Sequence, residues 1–72
     1  MANPIHLLDV VAITTDVSDR GLVRGQVGTV VEVLGSNVYE IEFSDDSGRT
    51  YAQLPLRSDQ LLVLHYEPEQ AA

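Results

Sequence analysis

A run of β-branched residues bounded by glycines constrains the fold of this chain more than any other feature. Gly25 and Gly28 open the run, residues 27–34 form it, and Gly35-Ser36-Asn37 closes it. Residues branched at Cβ are stiff at χ1 and pack well on a pleated surface, so residues 27–34 are predicted to form a strand. The other apolar segments can be interpreted as strands laid beside this one.

The remaining segments are short and are separated by turn residues. The pattern predicts strands at residues 10–14, 27–34, 38–43, 50–54 and 61–65. Residues 4–8 are predicted to form one short turn with Asn3 as its cap. The apolar side chains of this turn, Ile5, Leu7 and Leu8, are expected to cover one end of the core. A single 3₁₀ turn is expected at residues 57–60.

Hydrophobic alternation also predicts how the strands pair. If Asn37 is left-handed in a three-residue hairpin loop, Leu34 faces Val38, Val33 faces Tyr39 and Val31 faces Ile41. The predicted core face of the central strands comprises Val27, Thr29, Val31, Val33, Tyr39, Ile41 and Phe43. In the next hairpin, Phe43 is placed opposite Thr50, and Pro55 is expected to end the strand because proline cannot donate to a ladder.

These elements predict an all-β fold, a small five-stranded SH3-like barrel. A short N-terminal turn precedes the first strand and a 3₁₀ turn precedes the last. Residues 1–66 are expected to form this single domain, and residues 67–72 a frayed, disordered tail. A chain of 72 residues buries only about 60% of its unfolded surface, and without cysteine it forms no disulfide. Barrel closure or a second chain is therefore the expected support.

Charge is the most lopsided property of the chain. The chain has eleven acidic residues and four basic residues, all four of them arginine, so its formal net charge is −7. This charge repels phosphate, which argues against nucleic acids and anionic membranes and favours a protein partner with a basic surface. The sequence has neither a membrane-spanning apolar run nor a signal-peptide pattern, so a cytoplasmic location is expected.

The outer face of the predicted sheet collects the candidate binding residues. Glu32 lies directly across from Glu40, and like charges opposed on neighbouring strands are destabilising. Gln53 and Tyr51 are placed on the same face, opposite Glu40 and Glu42 respectively. The set Glu32, Glu40, Glu42, Tyr51 and Gln53 is either a solvated acidic surface or a contact surface for arginine or lysine of a partner.

No stretch carries a catalytic signature. Gly25 and Gly28 lack the further glycines and the helix of a phosphate-binding loop, so a bulge or a tight turn is expected. The histidines at positions 6 and 65 are expected to serve surface or packing roles. Asp45 and Asp46 lack the spacing of a calcium loop. We expect no catalytic residue, no cofactor and no metal site, and therefore no enzyme.

Several segments together resemble a bacterial family, the one catalogued as domain of unknown function 4926. They are Asp9 to Ala12, Gly21 to Glu32, Tyr39 to Phe43, Gly48 to Ala52 and Asp59 to Leu61. The typical family residues are matched at Asp9, Gly25, Gly28, Glu42, Phe43 and Asp59. The resemblance implies a small cytoplasmic bacterial protein of SH3-like fold, a companion of a neighbouring gene product with an antitoxin- or immunity-like role.

Two functions are compatible with these features. The first is a non-enzymatic protein-binding module that docks a basic partner. The alternative is an accessory structural subunit that completes a larger enzyme or complex. The glycine-valine core is also similar to barrels that bind RNA, but those are usually basic and this chain has no lysine.

Overall fold

Five antiparallel strands form a single sheet in the computed structural model, which describes residues 4–65 and Pro68. The strands are β1 (Val10–Ile13), β2 (Val27–Val33), β3 (Val38–Ser44), β4 (Thr50–Arg57) and β5 (Leu61–Val63). Two 3₁₀ turns, Ser18–Arg20 and Ser58–Gln60, accompany them, and the described residues contain no α-helix. The all-β class and the 3₁₀ turn before the last strand are confirmed.

The strand order is β4-β3-β2-β1-β5, so β4 and β5 are the two edges of the sheet. Four spacings of about 4.8 Å would separate these edges by about 19 Å in a flat sheet. Only the turn Ser58–Gln60 joins them, and the four steps from Arg57 to Leu61 span at most about 14 Å. The sheet therefore curls strongly, but no ladder among the described residues pairs β4 with β5 and closes it.

One hydrophobic core lies on the concave side of this curl. All five strands contribute to it, together with Leu22 from the first connection. Its buried side chains are Val11, Ile13, Leu22, Val30, Tyr39, Ile41, Phe43, Leu54, Leu56 and Leu61. Burying a side chain of this size contributes about 1.5–3 kcal/mol, so these ten supply the main favourable term of folding.

A β-bulge in β2 changes the predicted register. Glu32 pairs with Glu40 and Val33 with Tyr39, as the sequence predicted, but Val30 rather than Val31 pairs with Ile41. Val31 is the extra residue, and beyond it the side chains of β2 exchange faces. The predicted core positions of Val27, Thr29 and Val31 are therefore wrong. Val27 is exposed, the other two are half-buried, and Gly28 and Val30 face the core instead. The predicted core position of Val33 is wrong as well, since its side chain is 51% exposed although it pairs with Tyr39.

The β3–β4 pairing is shifted by two residues from the prediction. Phe43 pairs with Ala52 rather than Thr50, and Ile41 pairs with Leu54. A shift of two keeps the same side chains inward, which is why hydrophobic alternation alone did not exclude it. Pro55 does not end β4 but pairs with Glu40 within it. Because β4 is an edge strand, a proline without N–H is tolerated there.

The loops and the N-terminal segment also depart from the predictions. Ile5 packs against the core, but Leu7 and Leu8 are exposed, so only part of the predicted lid exists. Among the described non-glycine residues only Leu8 is left-handed, with φ 71°; the predicted left-handed Asn37 is wrong. Of the predicted tail, residues 67–72, all but Pro68 lie outside the described residues. None of the described segments is a helix long and apolar enough to cross a membrane.

Candidate functional site

Three glutamates lie together on the outer, convex side of β2 and β3. Glu40 and Glu42 alternate with the buried Tyr39, Ile41 and Phe43, so their carboxylates point away from the core. Glu32 joins them because it pairs directly with Glu40, close to the turn between β2 and β3. We call Glu32, Glu40 and Glu42 the acidic face.

Hydrogen bonds from neutral side chains hold two of these carboxylates. Gln53 Nε2 donates to Glu40 Oε2 at 3.2 Å, and Thr50 Oγ1 donates to Glu42 Oε2 at 2.7 Å. Both donors lie on β4. Gln53 pairs with Glu42 across the ladder, so its predicted position opposite Glu40, which Pro55 occupies, is wrong. The bonds orient the carboxylates but leave their charges uncompensated.

No cation within the described part of the chain neutralises the acidic face. The ion pairs found there join His6 to Asp9 at 3.7 Å and Arg57 to Asp59 at 3.1 Å, both away from the three glutamates. Arg20 approaches β4, but its Nη2 donates to the backbone oxygen of Gln53 at 3.3 Å. The acidic face therefore presents negative charge to whatever adjoins it.

Tyr51 does not belong to this face, and its predicted position opposite Glu42 is wrong. The ladder jumps from Phe43–Ala52 to Ser44–Thr50, so Tyr51 is the extra residue of a second bulge. Its ring lies 6.2 Å from the buried ring of Phe43, and its hydroxyl accepts a hydrogen bond from Gln26 Nε2 at 3.1 Å. Tyr51 thus covers the rim of the core, and the partner-binding role suggested for it stays a prediction.

An apolar surface adjoins the acidic face on the same side of the sheet, and sequence reasoning missed it. The ladders place Ala12 opposite both Val27 and Leu62, and Val10 opposite Thr29. Val10 and Ala12 alternate with the buried Val11 and Ile13, so this row faces outward. We call Val10, Ala12, Val27 and Leu62 the apolar face. The β-branched run alone does not reveal it, because strict alternation places Val27 inward and only the bulge at Val31 turns it outward.

The family model described as "Domain of unknown function (DUF4926)" matches residues 7–63, which include all five strands. The chain belongs to this family. No curated protein and no solved structure matches it significantly. The family resemblance seen in the sequence is thus confirmed, while the bacterial origin stays a prediction.

The glycines of the DUF4926 domain have structural roles. Gly25 is left-handed, with φ 97°, and its N–H donates to the carbonyl of Ile13 at 2.8 Å, which makes the tight entry to β2. At Gly28 a Cβ would lie 2.7 Å from Ile41 Cγ2 and 2.8 Å from the carbonyl oxygen of Glu42. Glycine is required there because β3 approaches too closely for a side chain.

The loop at Asp45 is a closed turn. Asp45 Oδ1 accepts hydrogen bonds from the backbone N–H groups of Ser47 and Arg49, each at 3.0 Å, and from the Ser47 hydroxyl at 2.8 Å. These bonds, with that from the Arg49 N–H the largest, hold the pKa of Asp45 below its ordinary value of 3.8. One carboxylate oxygen is thus used in local turn bonds, as in an Asx turn.

The remaining polar candidates of the DUF4926 domain are dispersed. His6 Nδ1 lies 3.7 Å from Asp9 Oδ2, beside the turn at residues 6–9, and His65 is exposed. Among the described residues, no three histidine, aspartate or glutamate side chains are grouped so that they could hold a metal ion. In the second 3₁₀ turn, Asp59 Oδ1 accepts from Arg57 Nε, while Gln60 Oε1 accepts from the Arg57 N–H.

A shallow groove of about 700 Å³ opens beside β5. The N-terminal residues, the β2–β3 hairpin and the 3₁₀ turn before β5 border it, with Ile5, Asn37, Tyr39, Asp59 and Leu61 among its lining residues. None of the three glutamates lines this groove, so it is separate from the acidic face.

Proposed function

We propose that this domain is a non-enzymatic protein-binding module that acts in the bacterial cytoplasm. It binds a basic surface of a partner protein on Glu32, Glu40 and Glu42, with Gln53 as a neutral contact. The partner is the product of a neighbouring gene, toward which the domain acts as an antitoxin- or immunity-like companion. The proposal rests on one observation, the direct pairing of Glu32 with Glu40 with no cation of the described residues ion-paired to either.

The energetics of that pair support a role in binding. Like charges directly opposed on an antiparallel pair are destabilising, whereas an opposite-charge pair there stabilises by about 0.2–1 kcal/mol. An arginine or lysine of a partner placed between the two carboxylates removes the repulsion. The same negative field accelerates association with a basic protein, and salt weakens this effect.

We infer that the curled sheet is an SH3-like barrel. The support is the strand order β4-β3-β2-β1-β5, the long connection after β1, and the 3₁₀ turn between β4 and β5. In such a small barrel the core occupies the interior, so ligands are bound on the outer faces and loops rather than in a cavity.

Nucleic acid is not the proposed partner. The net charge of −7 opposes phosphate, and three of the eleven acidic side chains that produce it lie together on the outer face of β2 and β3. A surface that binds single strands needs a positively charged groove beside its aromatic side chains.

The apolar face favours a second candidate function, an accessory structural subunit of a larger complex. Val27 is 44% exposed and Leu62 57% exposed in the isolated chain, and permanent interfaces are richer in apolar contacts than transient ones. The two functions differ in the behaviour of the free protein. A companion inhibitor is monomeric and stable alone, whereas a permanent subunit self-associates or unfolds readily without its complex.

The experiment that tests the main proposal is capture of the purified product of the adjacent gene. The charge-removing variant is E32Q/E40Q, and its matched control is D19N/D46N, which removes two negative charges from exposed positions elsewhere. Wild type and D19N/D46N are expected to retain the product at low salt, and E32Q/E40Q to lose most of it. Equal retention by both variants, or no retention by wild type, would overturn the proposal.

A further inference from the structure

The outer side of the sheet changes from apolar to acidic within one cross-strand row. The ladders place Val10 opposite Thr29, Thr29 opposite Glu42, and Glu42 opposite Gln53. The next row joins Leu62, Ala12 and Val27. Since strands are about 4.8 Å apart, the apolar face begins within about 10 Å of the Glu42 backbone.

Resting on the proposed function, we propose that the partner docks an amphipathic basic α-helix across this boundary. The apolar stripe of the helix lies on Val10, Ala12, Val27 and Leu62, and arginine or lysine on its flank reaches Glu42 and Glu40. The outer face thus specifies a helix that is apolar on one side and basic beside it.

The pairing of the strands explains why a helix fits and an added strand does not. β1 and β2 both lie inside the sheet, with ladders on each side, so their backbone groups are already used. Over β1 and β2 a partner can therefore contact this face only through side chains; of the four apolar residues, only Leu62 lies on an edge strand. A row of three strands is about 10 Å wide, which matches the roughly 10 Å diameter of a helix.

Charge complementarity selects this occupant over the others. A second copy of the chain brings another net charge of −7 and only four arginines toward the glutamates, so self-association through this face is opposed. Anionic membranes are opposed for the same reason. A basic helix satisfies the apolar face and the acidic face together.

The test uses synthetic helical peptides of about 18 residues, five turns, titrated into the full-length isotope-labelled chain and followed by amide NMR shifts. The first peptide carries a leucine stripe flanked by arginines. The second has the same composition in scrambled order, and the third has glutamate in place of arginine. The first peptide is expected to shift the amide resonances of Val10, Ala12, Val27 and Leu62 together with those of Glu40 and Glu42. It is also expected to bind about tenfold more tightly than the other two peptides.

Variants then separate the apolar contribution from the electrostatic one. V27T/L62T is expected to weaken the first peptide about tenfold, because apolar contact area is lost. The control V23T/V33T removes two valines of similar exposure, 57% and 51%, away from the apolar face and is expected to bind like wild type. Thermal unfolding of each variant verifies that it folds.

The outcomes distinguish the two proposals. If the scrambled peptide binds as tightly as the first and shifts only the glutamates, or if V27T/L62T binds like V23T/V33T, the helix inference fails while the acidic binding face stands. If no arginine peptide shifts any of the three glutamates, the inference fails and the proposed function loses its support as well.

Discussion

Gly28 and Ile41 are in such close contact that a Cβ at position 28 would force neighbouring atoms to move. An ideal Cβ there would lie 2.7 Å from Ile41 Cγ2, well inside the ordinary contact distance between carbon atoms. The contact arises because Gly28 faces the core beside Val30, which itself pairs with Ile41. The second glycine of the Gly25–Gly28 pattern is therefore a packing residue between β2 and β3.

The variant Gly28→Ala is expected to lose about 1–3 kcal/mol of unfolding free energy, as overpacked cores do. The backbone oxygen of Glu42 and the side chains of Ile41 and Phe43 would have to move. Urea denaturation measures the change. Gly35→Ala is the control, since nothing lies within 4 Å of a Cβ at that position; equal stability of the two variants would contradict the close packing.

Ile41→Ala is expected to cost about 2–5 kcal/mol, because it leaves a cavity at the centre of the core. Ile41 is fully buried and pairs with Val30 on one side and Leu54 on the other. Thermal and urea unfolding provide the measurement, with the half-exposed Val33→Ala as the control. A loss below about 1 kcal/mol would show that this site is not central to the core.

Glu40→Gln is expected to act in opposite directions on stability and on binding. The free domain should be equally stable or more stable by a few tenths of a kcal/mol, because repulsion from Glu32 is removed while an oxygen remains to accept from Gln53. Association with the product of the adjacent gene should slow, and the loss should shrink at high salt.

The control for that measurement is Asp46→Asn, which makes the same change of charge in the β3–β4 loop. Stopped-flow measurement of the association rate at two salt concentrations distinguishes the effect of the acidic face from the effect of the net charge of the domain. If both variants slow association equally, the acidic face has no special role and is an ordinary solvated surface.

The pKa of Asp45 makes part of the stability depend on pH. Because hydrogen bonds from Arg49 and Ser47 lower this pKa in the folded state, the unfolded chain binds the proton more readily. The carboxylate therefore stabilises the fold above its ordinary pKa of 3.8, and this contribution is lost as pH falls through the lower, folded value.

Asp45→Asn keeps an acceptor oxygen but does not titrate. From about pH 4 downward, the melting temperature of wild type should fall more steeply than that of Asp45→Asn, and the two slopes should agree near neutral pH. If the melting temperatures of wild type and Asp45→Asn fall equally with pH throughout the acid range, the charged carboxylate of Asp45 does not stabilise the fold.

The sequence by itself determined the class of the fold and the 3₁₀ turn before the last strand. Alternation of apolar residues is a property of each strand alone, so the five strands and the inward side of β3 could be predicted. The pairing of Glu32 with Glu40 was also predictable, because it lies next to the short turn at residues 35–37 and few residues intervene. The family assignment followed from the same motifs.

Only the tertiary structure decided where the register changes. The bulges at Val31 and Tyr51 each add one residue to one strand. No local sequence pattern marks them, because the packing that stabilises each bulge involves strands distant in sequence. The first bulge turned Val27 outward and thereby created the apolar face; the second placed Tyr51 against Phe43 rather than beside Glu42. Which residues share a face with the glutamates thus depends on contacts between strands, and the sequence of one strand does not contain them.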